Sequence, residues 1–240
     1  VPDALFDDPR LVQLYDPLEA DRTDLFEYLG LVDKLGAHTI LDVGCGTGTF
    51  ACLLASRGKS VVGVDPADAS LEVARRKPGA DRVRWVRGDA SSLPRVKADL
   101  VIMTGNVAQV FIEDREWEEM LRSVRSGLIP GGAFVFEVRD PAREAWREWT
   151  REESFRRTEV DGVGAVQSWV DLIEVRLPLV SFRLTYCFEV DDSCITSDST
   201  LRFRSRTEIE ASLAAAGFAV NDVRDAPDRP GRELVFIASV

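Results

Sequence analysis

Histidine is almost absent from this chain: His38 is the one copy in 240 residues. That excludes a multi-histidine metal centre and leaves a single candidate for any histidine base. The four cysteines do not fill the gap. Cys45 and Cys52, like Cys187 and Cys194, are separated by six residues, wider than the usual spacing of zinc ligands. No metal site is expected. The thiols read as small, buried or half-buried side chains in a reducing compartment, because disulfide frameworks belong mainly to small secreted domains. Long apolar runs are also lacking, none approaching the ~20 residues that cross a bilayer. The opening VPDALFDDPR has no basic-then-apolar leader pattern, so a cytoplasmic location without a membrane partner is expected. Positive charge is in deficit: 30 Lys and Arg face 41 Asp and Glu, and the net −11 repels nucleic acid phosphates. A small-molecule partner is expected, and no nucleic acid. The acid excess is steepest in residues 1–36, nine acids against three bases, which reads as a solvated helix face.

What is present is a regular alternation. From Thr39 onward, short β-branched runs alternate with helical patterns: TILDV, ACLLASRG, VVGVD, LEVARRK, RVRWVRGD, ADLVIM, EEMLRSVRSGL and GAFVFEV. This predicts a parallel sheet with helices on both faces. Arg115 to Leu128 has the helical period, with Trp117, Met120, Leu121, Val124 and Leu128 on one side and IPGG as its stop. Upstream, VQLYDPLEADRTDLFEYLGLVDKL reads as helical with a proline break. Residues 154–205 read as three or four longer strands, with Phe182, Leu184, Tyr186, Phe188 and Val190 on one face and a turn at Asp191-Asp192-Ser193. RTEIEASLAAAG is a helix closed by Gly217, and FAVNDVRD with ELVFIASV predicts a hairpin on the main sheet. Three divisions are expected: an N-terminal helical arm over 1–36, a sheet domain over 37–140 and 206–240, and an antiparallel insertion over 141–205.

The stretch LDVGCGTG follows a predicted strand and opens a helix, so its amides face the carboxyl end of the sheet. Gly44, Gly46 and Gly48 allow close approach there. A dinucleotide fingerprint needs glycine where Thr49 stands, which disfavours a pyrophosphate. Asp65 ends the second strand 21 residues after Gly44, placed to accept from a ribose diol, and Asp89 ends the third, placed to accept from an exocyclic amine.

These residues resemble the class I S-adenosylmethionine-dependent methyltransferases, small-molecule branch. The resemblance implies a Rossmann-like, doubly wound, mostly parallel seven-stranded sheet with an inserted antiparallel β-sheet lid. It implies methyl transfer from S-adenosylmethionine to a small-molecule nitrogen or oxygen nucleophile, by a monomer or homodimer. The rivals are an NAD(P)-dependent oxidoreductase and a non-enzymatic cofactor-binding domain. The cofactor residues carried over are Asp42, Gly44, Cys45, Gly46 and Gly48 in the loop, Asp65 and Pro66 for the ribose, Asp89, Ala90 and Ser91 for the adenine, and Thr104 at the fourth strand. TGNVAQVF lacks the Pro-Pro-aromatic element of the nucleic acid amino-methylating branch. Catalytic candidates are Tyr15 in the arm and Asn106 after the fourth strand. Trp146, Trp149, Trp169 and Phe155, with Phe182, Tyr186, Phe188 and Phe203, supply aromatic surface to the insertion, mostly for packing and in part for an acceptor pocket. His38 precedes the first strand, at the end away from the glycine loop, and is expected to have no catalytic role.

Overall fold

A computed structural model describes residues 2–19, 22–89, 93–94, 96–226 and 229–240. The chain opens with α1 (Ala4–Asp7), α2 (Pro9–Leu18) and α3 (Asp24–Lys34). It continues through β1 (Thr39–Val43), α4 (Thr49–Ser56), β2 (Ser60–Asp65), α5 (Asp68–Arg76), β3 (Val83–Arg87) and β4 (Ala98–Met103). Then come α6 (Asp114–Gly127), β5 (Leu128–Arg139), α7 (Arg151–Ser154), β6 (Arg156–Val160), β7 (Gly164–Arg176), β8 (Leu179–Phe188) and β9 (Ser193–Arg202). The last elements are α8 (Arg206–Ala215), β10 (Ala219–Asp225) and β11 (Glu233–Ser239).

Seven strands form the main sheet in the order β10-β11-β5-β4-β1-β2-β3. All its pairings are parallel except those made by β11. The winding reverses between β1 and β4, so the crevice of this α/β sheet opens beyond their carboxyl ends. Each face has its own core. One buries Leu25, Leu29 and Val32 of α3 and Phe50 and Leu54 of α4 over Ile40 and Leu100. The other buries Trp117, Met120, Leu121 and Val124 of α6, the periodic face read from the sequence, on Phe134 and Phe136. There Phe136 stacks on Phe134 and Phe236 with centroids 4.7 and 5.1 Å apart. Glu113 with Glu116, and Ser205 with Glu208, form capping boxes that fix where α6 and α8 begin.

Strands β6–β9 form a separate antiparallel sheet. The arm packs against it: Leu5, Leu11 and Leu14 are buried with Val160, Val166, Tyr186 and Phe188. Arg10 adds an ion pair to Asp191 at 3.0 Å and lies 3.8 Å over the Phe188 ring.

Several local expectations are corrected. Pro17 lies inside α2 near its end, where it forfeits one helical hydrogen bond, and the helical pattern breaks after it instead. IPGG follows a helix that ends at Gly127, but it runs within β5, where a register shift opposite Ala98 and Leu100 absorbs the extra residues. Val190 leaves the strand face and is exposed, because β8 ends at Phe188. Cys187 and Cys194 are not free thiols: they sit directly opposite each other across β8 and β9 and form a disulfide. The turn between them sets that register, which residue spacing alone does not reveal. Cys45 and Cys52 remain free.

Candidate functional site

The glycine loop shows what each missing side chain is for. Gly44, Gly46 and Gly48 all have positive φ, at 72°, 52° and 76°. A Cβ at Gly44 would lie 2.5 Å from Val107, and one at Gly48 would lie 2.4 Å from the Trp85 ring. Those two glycines serve close packing. A Cβ at Gly46 meets nothing within 4 Å, so this position borders open space. The loop is fastened by Asp65, whose Oδ2 accepts from the Gly46 amide at 2.8 Å and whose Oδ1 accepts from the Ala67 amide at 2.8 Å. Each oxygen retains acceptor capacity. Burial raises the Asp65 pKa despite these two bonds.

That open space belongs to a cavity of about 970 Å³. Its floor is Asp42, Gly44, Cys45, Gly46, Asp65 and Pro66, with Asp89 at the rim and Thr104 and Gly105 beyond β4. Asp42 is 2% exposed, and its Oδ1 has no hydrogen-bond partner among the described residues. Burial, reinforced by the Asp65 charge and opposed by Arg22, pushes the Asp42 carboxyl up to about 7. Burial also drives the Cys45 thiol well above its usual range, so Cys45 is a neutral lining group. Gly48 packs beneath the loop, outside the cavity lining. Ala90 and Ser91 lie outside the described residues.

The arm closes the cavity from above. Asp3, Phe6, Tyr15 and Arg22 line it, which sequence reasoning missed apart from Tyr15. Asp16 latches the arm to the loop: its Oδ1 accepts from the Thr47 and Thr49 hydroxyls at 2.7 and 3.0 Å, and its Oδ2 lies 2.6 Å from Lys77 Nζ. Burial raises the Tyr15 pKa, making its phenol a neutral hydrogen-bonding group. A second, polar cavity of about 330 Å³ adjoins the first and shares Tyr15, Arg22 and Gly105 with it.

Away from the glycine loop the cavity is lined by Val110, Phe111 and Ile112 and by Ile173, Ser181 and Thr200 of the antiparallel sheet. Four carboxylates, Asp3, Glu116, Glu119 and Asp198, line this half, and Arg22 is the one basic residue among the described lining. Asn106 is placed elsewhere. It is buried with φ 61°, turning the chain after β4, and its amide donates to Glu233 at 3.1 Å. Glu137 accepts from Tyr28 and from the Gly105 amide, a structural tie under the same turn. The insertion's aromatics pack instead of lining the cavity: Trp146 on Phe203 at 4.7 Å, Trp149 on Phe182 at 4.6 Å, Tyr186 and Phe188 on the arm. His38 is exposed before β1, its backbone amide donating to Asp99, and is absent from the cavity.

Residues 40–132 match the family model of a methyltransferase domain. Over that stretch the chain is similar to methyltransferase domains, and its fold is that of the class I S-adenosylmethionine-dependent methyltransferases. The cypemycin N-terminal methyltransferase of a Streptomyces species is 33% identical over 54% of this chain and 58% of its own. Mouse glycine N-methyltransferase is 31% identical over 55% and 51%. The chain thus spans only about half to three fifths of these curated relatives. Among solved structures, the sugar N-methyltransferase of Streptoalloteichus has the same fold, with TM-score 0.78 at 19% identity over 94% of this chain and 91% of that one. The methyltransferase cofactor, S-adenosylmethionine, suits the residues present: Gly46 leaves room against the loop, and the unpartnered Asp42 oxygen suits a cationic ligand. No helix among the described residues is long and apolar enough to cross a membrane.

Proposed function

We propose that this methyltransferase transfers a methyl group from S-adenosylmethionine to a small molecule bearing an amine. The observation that carries the proposal is one cavity running from the glycine loop to a half lined by Asp3, Glu116, Glu119 and Asp198, of which Glu119 is paired with Arg115 and Asp198 with Arg183, with Arg22 the one basic lining residue among those described. Asp3 and Glu116, which have no ion-pair partner among the described residues, favour a cationic amine over an anionic acceptor. The names of glycine N-methyltransferase and the sugar N-methyltransferase agree with nitrogen as the acceptor.

When bound, the cofactor supplies an electrophilic methyl group on a sulfonium. The chain's own contribution is placement and exclusion of water. In this proposal Asp65 accepts from the ribose, with Pro66 beside it, and Asp89 accepts from the adenine amine. The loop from Gly44 to Thr47, Asp42 and Thr104 surround the methionine end, and Arg22 meets its carboxylate. Tyr15 and Phe6 cover the reacting atoms from the arm. An ammonium acceptor must lose a proton before it attacks, and that proton passes to solvent at the cavity mouth before the amine closes on the methyl group. Asn106 positions the turn after β4 through Glu233, without touching the acceptor.

The test is methyl transfer from labelled S-adenosylmethionine to a panel of primary amines, hydroxyl compounds and carboxylic acids of matched size. Product with amines is expected. Product with acids alone overturns the amine assignment, and no product with any acceptor overturns the activity.

A further inference from the structure

The half of the cavity away from the glycine loop is lined by β9 and by the segment after β4, and one strand reaches both. Ser199 and Thr200 of β9 line the cavity directly. A few residues on, the same strand and its exit reach the segment after β4. Arg202 Nη1 donates to the Ile112 carbonyl at 2.7 Å, and Arg204 Nη1 donates to the Phe111 carbonyl at 2.8 Å. Both guanidinium groups also converge on Asp114 at the start of α6, at 2.8 and 3.5 Å. Arg204 is 6% exposed and lies 4.9 Å over the Trp117 ring, which in turn packs on Phe111.

This is an expensive way to join an insertion to a sheet. Two like charges stand side by side against Asp114, with the Glu208 charge also acting on both, and Arg202 Nε and Arg204 Nη2 have no hydrogen-bond partner among the described residues. Apolar packing would join the two parts at lower cost. What the arginines add is direction: a guanidinium donating to a carbonyl fixes the backbone at that point. The backbone so fixed carries Phe111 and Ile112, which line the cavity beside β9.

We propose that Arg202 and Arg204 are positioning residues that set the width of the acceptor chamber and so select the size of the amine that is methylated. This rests on the methyl-transfer reading above. Neither arginine lines the cavity, so their effect passes through Phe111 and Ile112. The cofactor floor contacts neither, so cofactor affinity is spared.

The experiment compares the parent with R202K, R204K and the double variant R202M/R204M. Backbone hydrogen exchange over residues 107–118 and over the glycine loop is measured in the presence of S-adenosylhomocysteine. Initial methylation rates are measured on primary amines of graded ring size. In the double variant, exchange at 110–114 should rise at least tenfold while the glycine loop is unchanged. The ratio of kcat/KM between the preferred and the bulkier amines should fall at least fivefold, with adenosylhomocysteine affinity held within twofold. The lysine variants keep the charge and lose the fork, so they should show the same loss of selectivity in smaller degree. Unchanged exchange, or an equal fall for all amines, overturns the proposal. If the parent methylates no amine, the function proposed above has failed, and the exchange readout still decides whether the arginines hold the wall.

Discussion

Asp42 and the three loop glycines separate what the site does from what the fold needs. The folded carboxyl of Asp42 titrates near 7, above its usual value near 4, so between those values the folded chain holds a proton that the unfolded chain has released. Stability from this group is therefore lost as pH rises from about 4 to 7, and the loss is complete above 7. Asp42→Asn should raise the melting temperature of the cofactor-free protein at pH 8, with the gain shrinking toward pH 4, while weakening adenosylhomocysteine binding. A gain equal at both pH values contradicts a titrating Asp42. Gly46→Val and Gly48→Val should part ways. The first carries the cost of positive φ, roughly 1–2 kcal/mol, folds, and loses the ligand because its branches enter the cavity. The second drives a Cβ into Trp85 and should lose much more stability, read by urea denaturation. If Gly46→Val folds and binds adenosylhomocysteine as the parent does, the open space there is not the cofactor's.

Among the elements, those with strong local signals were legible in advance. The strands of the main sheet are continuous apolar runs because both faces are covered, and α6 shows its buried stripe in Trp117, Met120, Leu121 and Val124. The glycine loop and Asp65 were legible because each needs a residue type at a fixed spacing. What stayed hidden was pairing between distant segments. The carbonyls of Phe111 and Ile112 are held by Arg204 and Arg202, at sequence separations of 93 and 90. The disulfide depends on hairpin register, and the partner of Leu5, Leu11 and Leu14 depends on where the arm lands. Asn106 was a candidate by its position after β4, but its direction followed from backbone φ. The arm yields a prediction of its own. Hydrogen bonds to a charged group contribute about 1.5–3 kcal/mol, so Asp16→Ala, which breaks the latch to Thr47, Thr49 and Lys77, should weaken adenosylhomocysteine by roughly tenfold or more. Calorimetry that finds the affinity unchanged shows that the arm does not close the site.

For the molecule as a whole, the antiparallel sheet is the surface on which the arm packs, and it also lines part of the cavity. Sequence reasoning alone expects the insertion to be dispensable for cofactor binding. Burial of Leu5, Leu11 and Leu14 against Val160, Val166, Tyr186 and Phe188 gives the arm a seat on the insertion, and a role for the insertion in cofactor binding is the competing expectation. Replacing residues 154–205 by a short linker should leave the main sheet folded by circular dichroism, free the arm, and lower adenosylhomocysteine affinity along with turnover. Full cofactor affinity in the shortened chain would mean that the arm holds its place through Asp16 alone. The most direct test of the account is calorimetric titration of the full chain with S-adenosylhomocysteine and, separately, with oxidised nicotinamide dinucleotide. The account predicts saturable one-to-one binding of the first, abolished in folded Gly46→Val, and none of the second. Binding of the dinucleotide, or adenosylhomocysteine binding that survives Gly46→Val, would contradict it.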